Sequence, residues 1–243
     1  MGSYFVFDGQ SSEELGLKIK SKSVYGAGKP DVALTAIPGR NGEVVTNNKR
    51  IANCAVSYAC FAPASGQAEL ATKMRNVRKW LFSGIGKYCW LSDSYEPGFL
   101  RKAVYNSKLD VTDQACRIGS FTVTFSCHPM RYLEEGLASA TVPNGGSLFN
   151  PYPFASKPYL KITGSGSGTL SIQTEGVTRT WSFSSIDGYV ECDSDLMNFY
   201  KGTALRNSIV TGSGYPELAP GENVLTYSGG ITKVEVAPRW WCV

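Results

Sequence analysis

The chain has 243 residues, a length that suits one or two domains, and 42% of them are hydrophobic, which is enough for a sizeable core. Charged residues make up 18%, below the roughly 25% of an average soluble protein, and the net charge of +4 is spread along the chain, which argues against a nucleic-acid-binding protein. The seven cysteines are an odd number without any Cys-x-x-Cys pair, which argues against a disulfide framework and a zinc site and favours a reducing compartment.

The first predicted elements are strands at residues 4–7, 16–19, 32–36 and 50–61. The long run 50–61 alternates, with four apolar residues on one face: Cys54, Val56, Tyr58 and Cys60. Between these strands, residues 38–42 read Pro-Gly-Arg-Asn-Gly, which is the chemistry of a tight turn with left-handed positions.

Residues 65–82 form the one convincing helix of the sequence. Its apolar stripe recurs at helical spacing and consists of Leu70, Met74, Val77, Trp80 and Leu81. The side expected to face solvent is basic, with Lys73, Arg75, Arg78 and Lys79. Ser65 is the predicted N-cap and Gly84 the predicted C-terminal glycine. A single amphipathic helix has to cover a sheet, so we expect the first half of the chain to be a sheet with one flanking helix.

Beyond the helix, the apolar run 88–91 predicts a strand covered on both faces, followed by a loop at 92–98 and a strand at 101–109. Residues 118–127 alternate strictly and place four residues on one face: Phe121, Val123, Phe125 and Cys127. This strand is expected to end at His128 and Pro129, because proline cannot continue a ladder.

The composition changes near residue 134, so we predict two domains, 1–134 and 135–243. The second reads as short strands between glycine-rich turns, at 159–163, 169–173, 177–183, 188–192, 223–227 and 231–236. Such strands without a helix predict a β-sandwich or jelly roll. The predicted fold class is therefore mainly β, with one α-helix in the first half.

No motif in the sequence indicates catalysis, a cofactor or a metal. The glycines of 164–169 lack the Gly-Lys-Ser/Thr ending of a phosphate-binding loop and predict a hairpin turn instead. His128 is the single histidine, and a structural role is favoured over a catalytic one. Glu191, Asp193 and Asp195 alternate, but Asn198 stands where a calcium loop requires glycine, so a turn is the better interpretation.

Five separated stretches carry a family resemblance: 5–19, 37–43, 80–105, 215–223 and 236–240. In this order they resemble the distal tail protein (Dit) family of phages with long, flexible, non-contractile tails, over nearly the whole chain. The residues that match the family's turns and closing strand are Gly16, Pro38, Gly39, Arg40, Gly42, Pro216, Pro220, Gly221, Asn223, Pro238, Arg239 and Trp240.

The resemblance implies a tail-tube-like N-terminal sandwich with a flanking helix and a galectin-like C-terminal sandwich. It implies a structural virion protein without catalysis or cofactors, which forms a homohexameric ring at the tail tip between the tail-tube protein and the tail-tip or tail-associated protein. DNA is then only passing cargo. A receptor-binding protein is a further partner that the family suggests, although this chain has no room for the long insertions of some members. Assembly is expected in the host cytoplasm, since neither a signal peptide nor an apolar membrane segment is found.

The residues also support the ring independently, because a head-to-tail contact that closes under rotation covers exposed strand edges on every subunit. Two other classes stay open. A carbohydrate-binding module would use aromatic side chains such as Tyr152, Tyr159 and Trp181, although the alternation around Trp181 favours a core position. A glycosidase needs only two carboxylates at the right separation, and no spacing here singles out a pair.

Overall fold

The computed structural model describes residues 2–243 and divides into two compact units. The first extends to Arg131, with residue 243 assigned to it, and the second comprises residues 132–242. The division lies inside a strand, whereas the boundary predicted near residue 134 lies at the end of that strand. Within residues 2–243, no helix is both long and apolar enough to cross a bilayer.

The N-terminal unit contains ten strands and one α-helix. They are β1 (Phe5–Phe7), β2 (Gln10–Ser11), β3 (Lys18–Ser23), β4 (Pro30–Ala36), β5 (Glu43–Ile51), β6 (Cys54–Pro63), α1 (Gln67–Phe82), β7 (Cys89–Asp93), β8 (Phe99–Tyr105), β9 (Val111–Gln114) and β10 (Ile118–Leu133). The main sheet has the order β2-β1-β7-β8-β10-β6-β3, and β9 also pairs with β10. Strands β4 and β5 form a separate two-stranded sheet.

Helix α1 covers one face of the main sheet, as its apolar stripe predicted. All five residues of that stripe are buried. The Trp80 ring stacks on Phe5 with ring centroids 5.3 Å apart, and Phe5 stacks in turn on Tyr58 at 4.3 Å. The Trp80 indole N–H donates a 2.9 Å hydrogen bond to the carbonyl of Phe7. This bond satisfies the one polar atom of a buried tryptophan and attaches the helix to β1.

Both predicted ends of the helix need correction. The helix begins at Gln67, and Gly66 occupies the N-cap position without a side-chain cap. Ser65 instead donates from its backbone and its hydroxyl to the Glu69 carboxylate. Hydrogen bonds from Lys73 first, and from Ser65 next, lower the pKa of Glu69 to about 2.

At the other end, Ser83 keeps a helical conformation and its hydroxyl donates to the carbonyl of Trp80. Gly84 is therefore not a left-handed cap. Its small size is required for another reason, since an added Cβ would lie 2.7 Å from the sulfur of Cys89.

The predicted strand 50–61 is two strands. β5 ends at Ile51 and β6 starts at Cys54, while strand β5 itself, from Glu43, was not predicted. Its sequence shows no apolar alternation, because neither face of the β4–β5 hairpin is buried. The alternation predicted for β6 and for β10 is confirmed, since the apolar faces of both strands are buried.

Three further details of the first half differ from the prediction. Residues 88–91 are covered on one face only, because Tyr88 and Trp90 are exposed. β8 ends at Tyr105 rather than at 109. β10 continues past Pro129 to Leu133. Its pairing with β6 stops at Cys127, so the missing backbone N–H of Pro129 costs no hydrogen bond to β6.

The C-terminal unit is built from β11 (Ala140–Val142), β12 (Ser147–Asn150), β13 (Tyr159–Thr174), β14 (Val177–Asp193), β15 (Asn198–Lys201), β16 (Ala204–Leu205), β17 (Val210–Gly212), β18 (Gly221–Ala237) and β19 (Trp241–Cys242), with short 3-10 helices at Glu134–Leu137 and Asn207–Ile209. The strand order is β11-β18-β13-β14-β15-β16, with β12 on β18 and β17 on β14. Both halves of the three long strands contribute to one core, through Leu160, Leu170, Trp181, Val190, Leu225 and Val234.

The predicted hairpin turn at 164–169 is wrong, because these residues lie inside one strand. Each of the three long strands joins two of the predicted short ones, and glycines mark the joins. Gly164 pairs with Gly188 of β14, and the register shifts between Gly166 and Gly168. A Cβ on Gly164 would lie 2.3 Å from the carbonyl oxygen of Gly230. Glycine thus allows β13 and β18 to bend past each other without ending the ladder.

We expect Trp80→Phe to destabilise the N-terminal unit by about 2 kcal/mol, because it removes the hydrogen bond to Phe7 and leaves a cavity in the aromatic cluster. Hydrogen exchange of peptides from residues 2–131, followed at increasing urea concentrations, measures this change in the free energy of unfolding. The matched control is Trp90→Phe at an exposed position, with an expected effect under about 0.5 kcal/mol. Equal effects of the two substitutions would contradict the assigned role.

We expect Gly164→Ala to destabilise the C-terminal unit by more than about 2 kcal/mol, because the new methyl group meets the backbone of β18. The neighbouring exposed Ser165→Ala should be close to neutral. Thermal unfolding of both variants tests the claim, and an unchanged midpoint for Gly164→Ala would refute it.

Candidate assembly surfaces

The face of the N-terminal sheet opposite α1 is polar. A surface groove of about 700 Å³ lies over β6, β9 and β10. Its polar lining includes the hydroxyls of Ser120, Thr122 and Thr124 and the charged groups of Lys20, Lys108 and Asp110. The alternation of β10 produces this face, because every second residue points away from the helix. With two cations and one anion among these charged groups, the lining presents no strongly basic surface.

The β4–β5 hairpin, called the arm below (residues 30–51), is exposed and partly apolar. Leu34 is opposite Val45 in its register, and these side chains are 58% and 63% exposed. The predicted turn of residues 38–42 is the tip of the arm. Gly39 and Gly42 adopt φ values of +81° and +83°, which explains glycine at both positions. The turn at residues 38–42 therefore joins β4 and β5 in an exposed hairpin.

A second exposed apolar region of the same unit lies at residues 82–90, called the 82–90 surface below. It contains four large apolar side chains: Phe82, Ile85, Tyr88 and Trp90. Ile85 is 66% exposed and Trp90 is 39% exposed. These four side chains are close in the sequence, and Trp90 lies on the face of β7 opposite the buried Cys89 and Leu91.

Several internal contacts hold this surface in place. The Phe82 ring packs edge-on against Tyr105, with centroids 5.5 Å apart. The Tyr88 hydroxyl accepts a 2.8 Å hydrogen bond from Asn53, and its ring packs against His128 at 5.8 Å. His128 thus packs against an aromatic ring of this surface.

Gly16 also occupies a turn. Its φ is +69°, its N–H donates to the carbonyl of Glu13, and the next residue, Leu17, is buried in the core. The left-handed conformation turns the chain from the polar segment back into the sheet.

The C-terminal signature residues form a local framework. Asn223 is fully buried, and its amide nitrogen lies within hydrogen-bonding distance of the carbonyls of Ala219 (2.9 Å) and Gly221 (3.0 Å). Its side-chain oxygen accepts a 2.6 Å bond from the Thr174 hydroxyl. Pro216 is buried, Pro220 is half-buried, and Gly221 has a φ of +87°. Asn223 therefore ties this turn to the end of β13.

Arg239 makes a bidentate ion pair within the C-terminal unit. Both guanidinium Nη atoms donate to the Asp193 carboxylate at 2.8 Å, and both side chains are largely buried. The same carboxylate accepts the backbone N–H groups of Asp195 and Leu196. Burial alone would raise the pKa of Asp193, but the hydrogen bonds and charge of Arg239, with the two backbone bonds, lower it below its usual range.

Of the acidic alternation, Glu191 and Asp193 are the last residues of β14, and Asp195 lies in the turn that follows, so the predicted turn is confirmed for residues 194–197 alone. Glu191 is used differently, since it accepts hydrogen bonds from the Tyr159 hydroxyl and the backbone N–H of Gly202. Among residues 2–243, no group of three His, Cys, Asp or Glu side chains is arranged to hold a metal ion.

The residues that flank Arg239 pack inside the unit. Pro238 and Trp240 are buried, and a Cβ on Gly136 would lie 3.0 Å from the backbone nitrogen of Trp240. Trp181 is also fully buried and donates to the carbonyl of Gly214, so it cannot offer its face to a sugar.

The twelve signature residues are divided between the two units. Gly16 and the arm tip lie in the N-terminal unit, and the residues from Pro216 to Trp240 lie in the C-terminal unit. Sequence reasoning missed Asp193 as the partner of Arg239, and it missed the arm and the 82–90 surface. The apolar side chains of the arm were visible in the sequence, but a strand buried on one face gives the same pattern.

Comparison with known proteins gives the fold. No family model matches the chain, and no curated protein sequence is similar to it. The crystal structure of the SPP1 Dit protein (gp 19.1), described as a paradigm of the hub adsorption apparatus in phages that infect Gram-positive bacteria, superposes over 100% of both chains with a TM-score of 0.76 and 14% identity.

Two structures of the phage p2 baseplate in its activated conformation are also similar. With strontium the TM-score is 0.54 at 12% identity, and with calcium it is 0.51 at 11%, each over 96% of both chains. The chain therefore has the mainly β, Dit-like sandwich fold, which confirms the predicted fold class.

We expect Asp193→Asn to destabilise the C-terminal unit by about 2 kcal/mol at pH 7, because it leaves the Arg239 charge without its carboxylate. A lowered pKa means that the pair stabilises the fold above the unfolded value of about 3.9 and that this stabilisation is lost as the pH falls further. The difference between wild type and variant should therefore shrink at pH 3. Urea unfolding at both pH values measures it, and a difference independent of pH would contradict the ion pair.

Proposed function

We propose that this protein is a structural component of a phage tail tip, where it forms a homohexameric ring between the tail-tube protein and the tail-tip or tail-associated protein. The observation that carries the proposal is the fold shared with the SPP1 Dit hub protein along the entire chain. Because one fold can host several functions, the surfaces of this chain have to support the same conclusion.

The surfaces do support it. Most of the large exposed apolar side chains of the N-terminal unit belong to the arm or to the 82–90 surface, and exposed apolar side chains are available for contact with another protein. The signature residues hold turns and pair with backbone or with Asp193, which are structural roles. In this proposal the protein acts by holding its neighbours and catalyses no reaction.

The polar face of the N-terminal sheet suits passing DNA. Hydroxyl groups and mixed charges lie along the groove over β10. A surface that holds DNA needs several lysine or arginine contacts to phosphates, so a face of this kind lets DNA slide past. We propose that the ring turns this face to its central passage and that the protein resides in the virion after assembly in the host cytoplasm.

Electron microscopy of the purified protein, alone and mixed with the tail-tube and tail-tip proteins of the same virus, tests this proposal. We expect six-fold rings in at least one of these samples and a stable complex with each of the two neighbours. A protein that stays monomeric and binds neither neighbour would overturn the proposal, as would hydrolysis of host cell-wall glycan by the pure protein.

A further inference from the structure

Two of the seven cysteines face each other in the N-terminal unit. Cys54 and Cys127 are opposed residues and form the last pair of the antiparallel β6–β10 register. Opposed residues point to the same face of a sheet, and both side chains belong to the buried core that includes α1. Both are free thiols in the structure. They lie on opposite sides of α1 in the sequence, so only the fold brings them together.

The spacing of opposed residues suits a disulfide. Their Cα atoms are about 4.5 Å or 5.5 Å apart, depending on whether the pair exchanges backbone hydrogen bonds, and disulfides span roughly 4.4–6.8 Å between Cα atoms. Their Cβ atoms are about 4.5–5.5 Å apart, whereas a disulfide holds them at about 3.5–4.5 Å. The strands therefore have to approach by roughly 1 Å, and at the last pair of a ladder this movement disturbs little else.

The other three buried cysteines all lie opposite residues without sulfur. Their register partners are Phe121 and Ile19 for Cys60, Ala103 for Cys89, and Leu160 and Phe199 for Cys192. Opposition of two thiols is thus particular to the end of the β6–β10 ladder. Cys60 shares a strand, a face and a buried environment with Cys54, which makes it a matched control.

We propose that Cys54 and Cys127 are a modification site, which a low-molecular-weight disulfide oxidises to a cross-strand disulfide once the protein has left the reducing compartment where it folds. Inside the cell both remain thiols. The change of compartment rests on the proposed function, because a virion component is assembled in a cell and then released from it. The bond itself rests on the register of β6 and β10.

Cys54 is the thiol that reacts first. Its side chain is 9% exposed and is flanked by the exposed Asn53 and Ala55, whereas Cys127 has no exposed surface. Burial raises the pKa of Cys127 to about 12, and Cys54 and Asp93 add to the rise while the charge of Arg101 opposes it. Cys127 therefore holds little thiolate near neutral pH and suits the second, intramolecular step.

The reaction is thiol–disulfide exchange in two steps. Cys54 gives up its proton, and its sulfur attacks one sulfur of the reagent R–S–S–R, which releases one R–SH and leaves a mixed disulfide. Cys127 then gives up its proton and attacks the sulfur of Cys54, which releases the second R–SH. The two cysteines lose two protons and two electrons, and the reagent gains both.

The bond would join the two strands where the chain passes from the arm into the main sheet. β5 ends at Ile51 and β6 begins at Cys54. The end of a ladder is where strands separate most easily, and a cross-link between distant residues also restricts the unfolded chain. The reduced protein thus folds and assembles without the bond, and the oxidised protein resists unfolding more strongly.

Oxidation of the folded protein tests the site. Every sample carries Cys116→Ser, because Cys116 is exposed and would otherwise link two molecules. This parent and the variants Cys54→Ala, Cys127→Ala and Cys60→Ala are each incubated with reduced glutathione or with excess oxidised glutathione. Free thiols are then alkylated, linked peptides are mapped by mass spectrometry, and thermal unfolding is followed by circular dichroism.

We expect more than about half of the oxidised parent to carry the 54–127 link, with a midpoint of unfolding at least about 5 °C higher than that of its own reduced sample. Cys60→Ala should show the same rise from a lower starting value. Cys54→Ala and Cys127→Ala should show none. Because each variant is compared with its own reduced sample, the cavity left by the substitution cancels.

Three outcomes would overturn the modification site. They are an oxidised parent without the 54–127 link, a rise in midpoint that persists in Cys54→Ala, and a link that is already complete in reduced glutathione. The peptide map of the parent decides the question even where Cys127→Ala fails to fold. None of these outcomes bears on ring formation, which electron microscopy tests separately.

Discussion

The packing of α1 on one face of the N-terminal sheet determines how this unit meets its surroundings. Trp80 stacks on Phe5 and donates to the carbonyl of Phe7, and these contacts join the helix to β1. Because this face is closed by the only α-helix of the described chain, the opposite face stays open and polar. The arm and the 82–90 surface also stay outside the core. The face that α1 covers is thus closed within the subunit, and the polar face, the arm and the 82–90 surface are available to other molecules.

The core of the C-terminal unit is built in a different way, without an α-helix. Three long strands each contribute two inward-facing segments to a single core, and they change direction where glycines face each other. A side chain on Gly164 would collide with the carbonyl of Gly230, which explains why this crossing is made of glycines. Asn223 and the Asp193–Arg239 pair then fasten the chain near the strand ends with buried, satisfied polar groups.

This distribution of polar groups bears on function. The Asp193–Arg239 ion pair lies inside the fold, and its hydrogen bonds are made within the subunit. Trp181 is buried in the core. The exposed features are apolar ribbons, apolar patches and a hydroxyl-rich face. These surfaces are the ones through which the structural role proposed above would be carried out.

The sequence by itself determined the elements whose pattern follows directly from burial. The stripe of α1 and the alternation of β6 and β10 were predictable because each element buries one face. Apolar residues then recur every 3.6 positions in the helix and every second position in the strands. The mainly β class and the turn at 38–42 followed from the same local chemistry. The family resemblance, read from ordered turns, pointed to the fold that the structure shows.

Only the tertiary structure decided the features that depend on distant residues. Strand β4 of the arm was predictable at 32–36, but β5 has no buried face and therefore left no periodic signal in the sequence. The glycines at 164–168 look like a turn locally, and only the crossing of β18 shows that the strand continues. Asp193 and Arg239 are 46 positions apart, and no local pattern connects them. Exposure of Trp90 likewise depends on which elements cover the sheet, because a covered and an uncovered apolar strand can have the same residues.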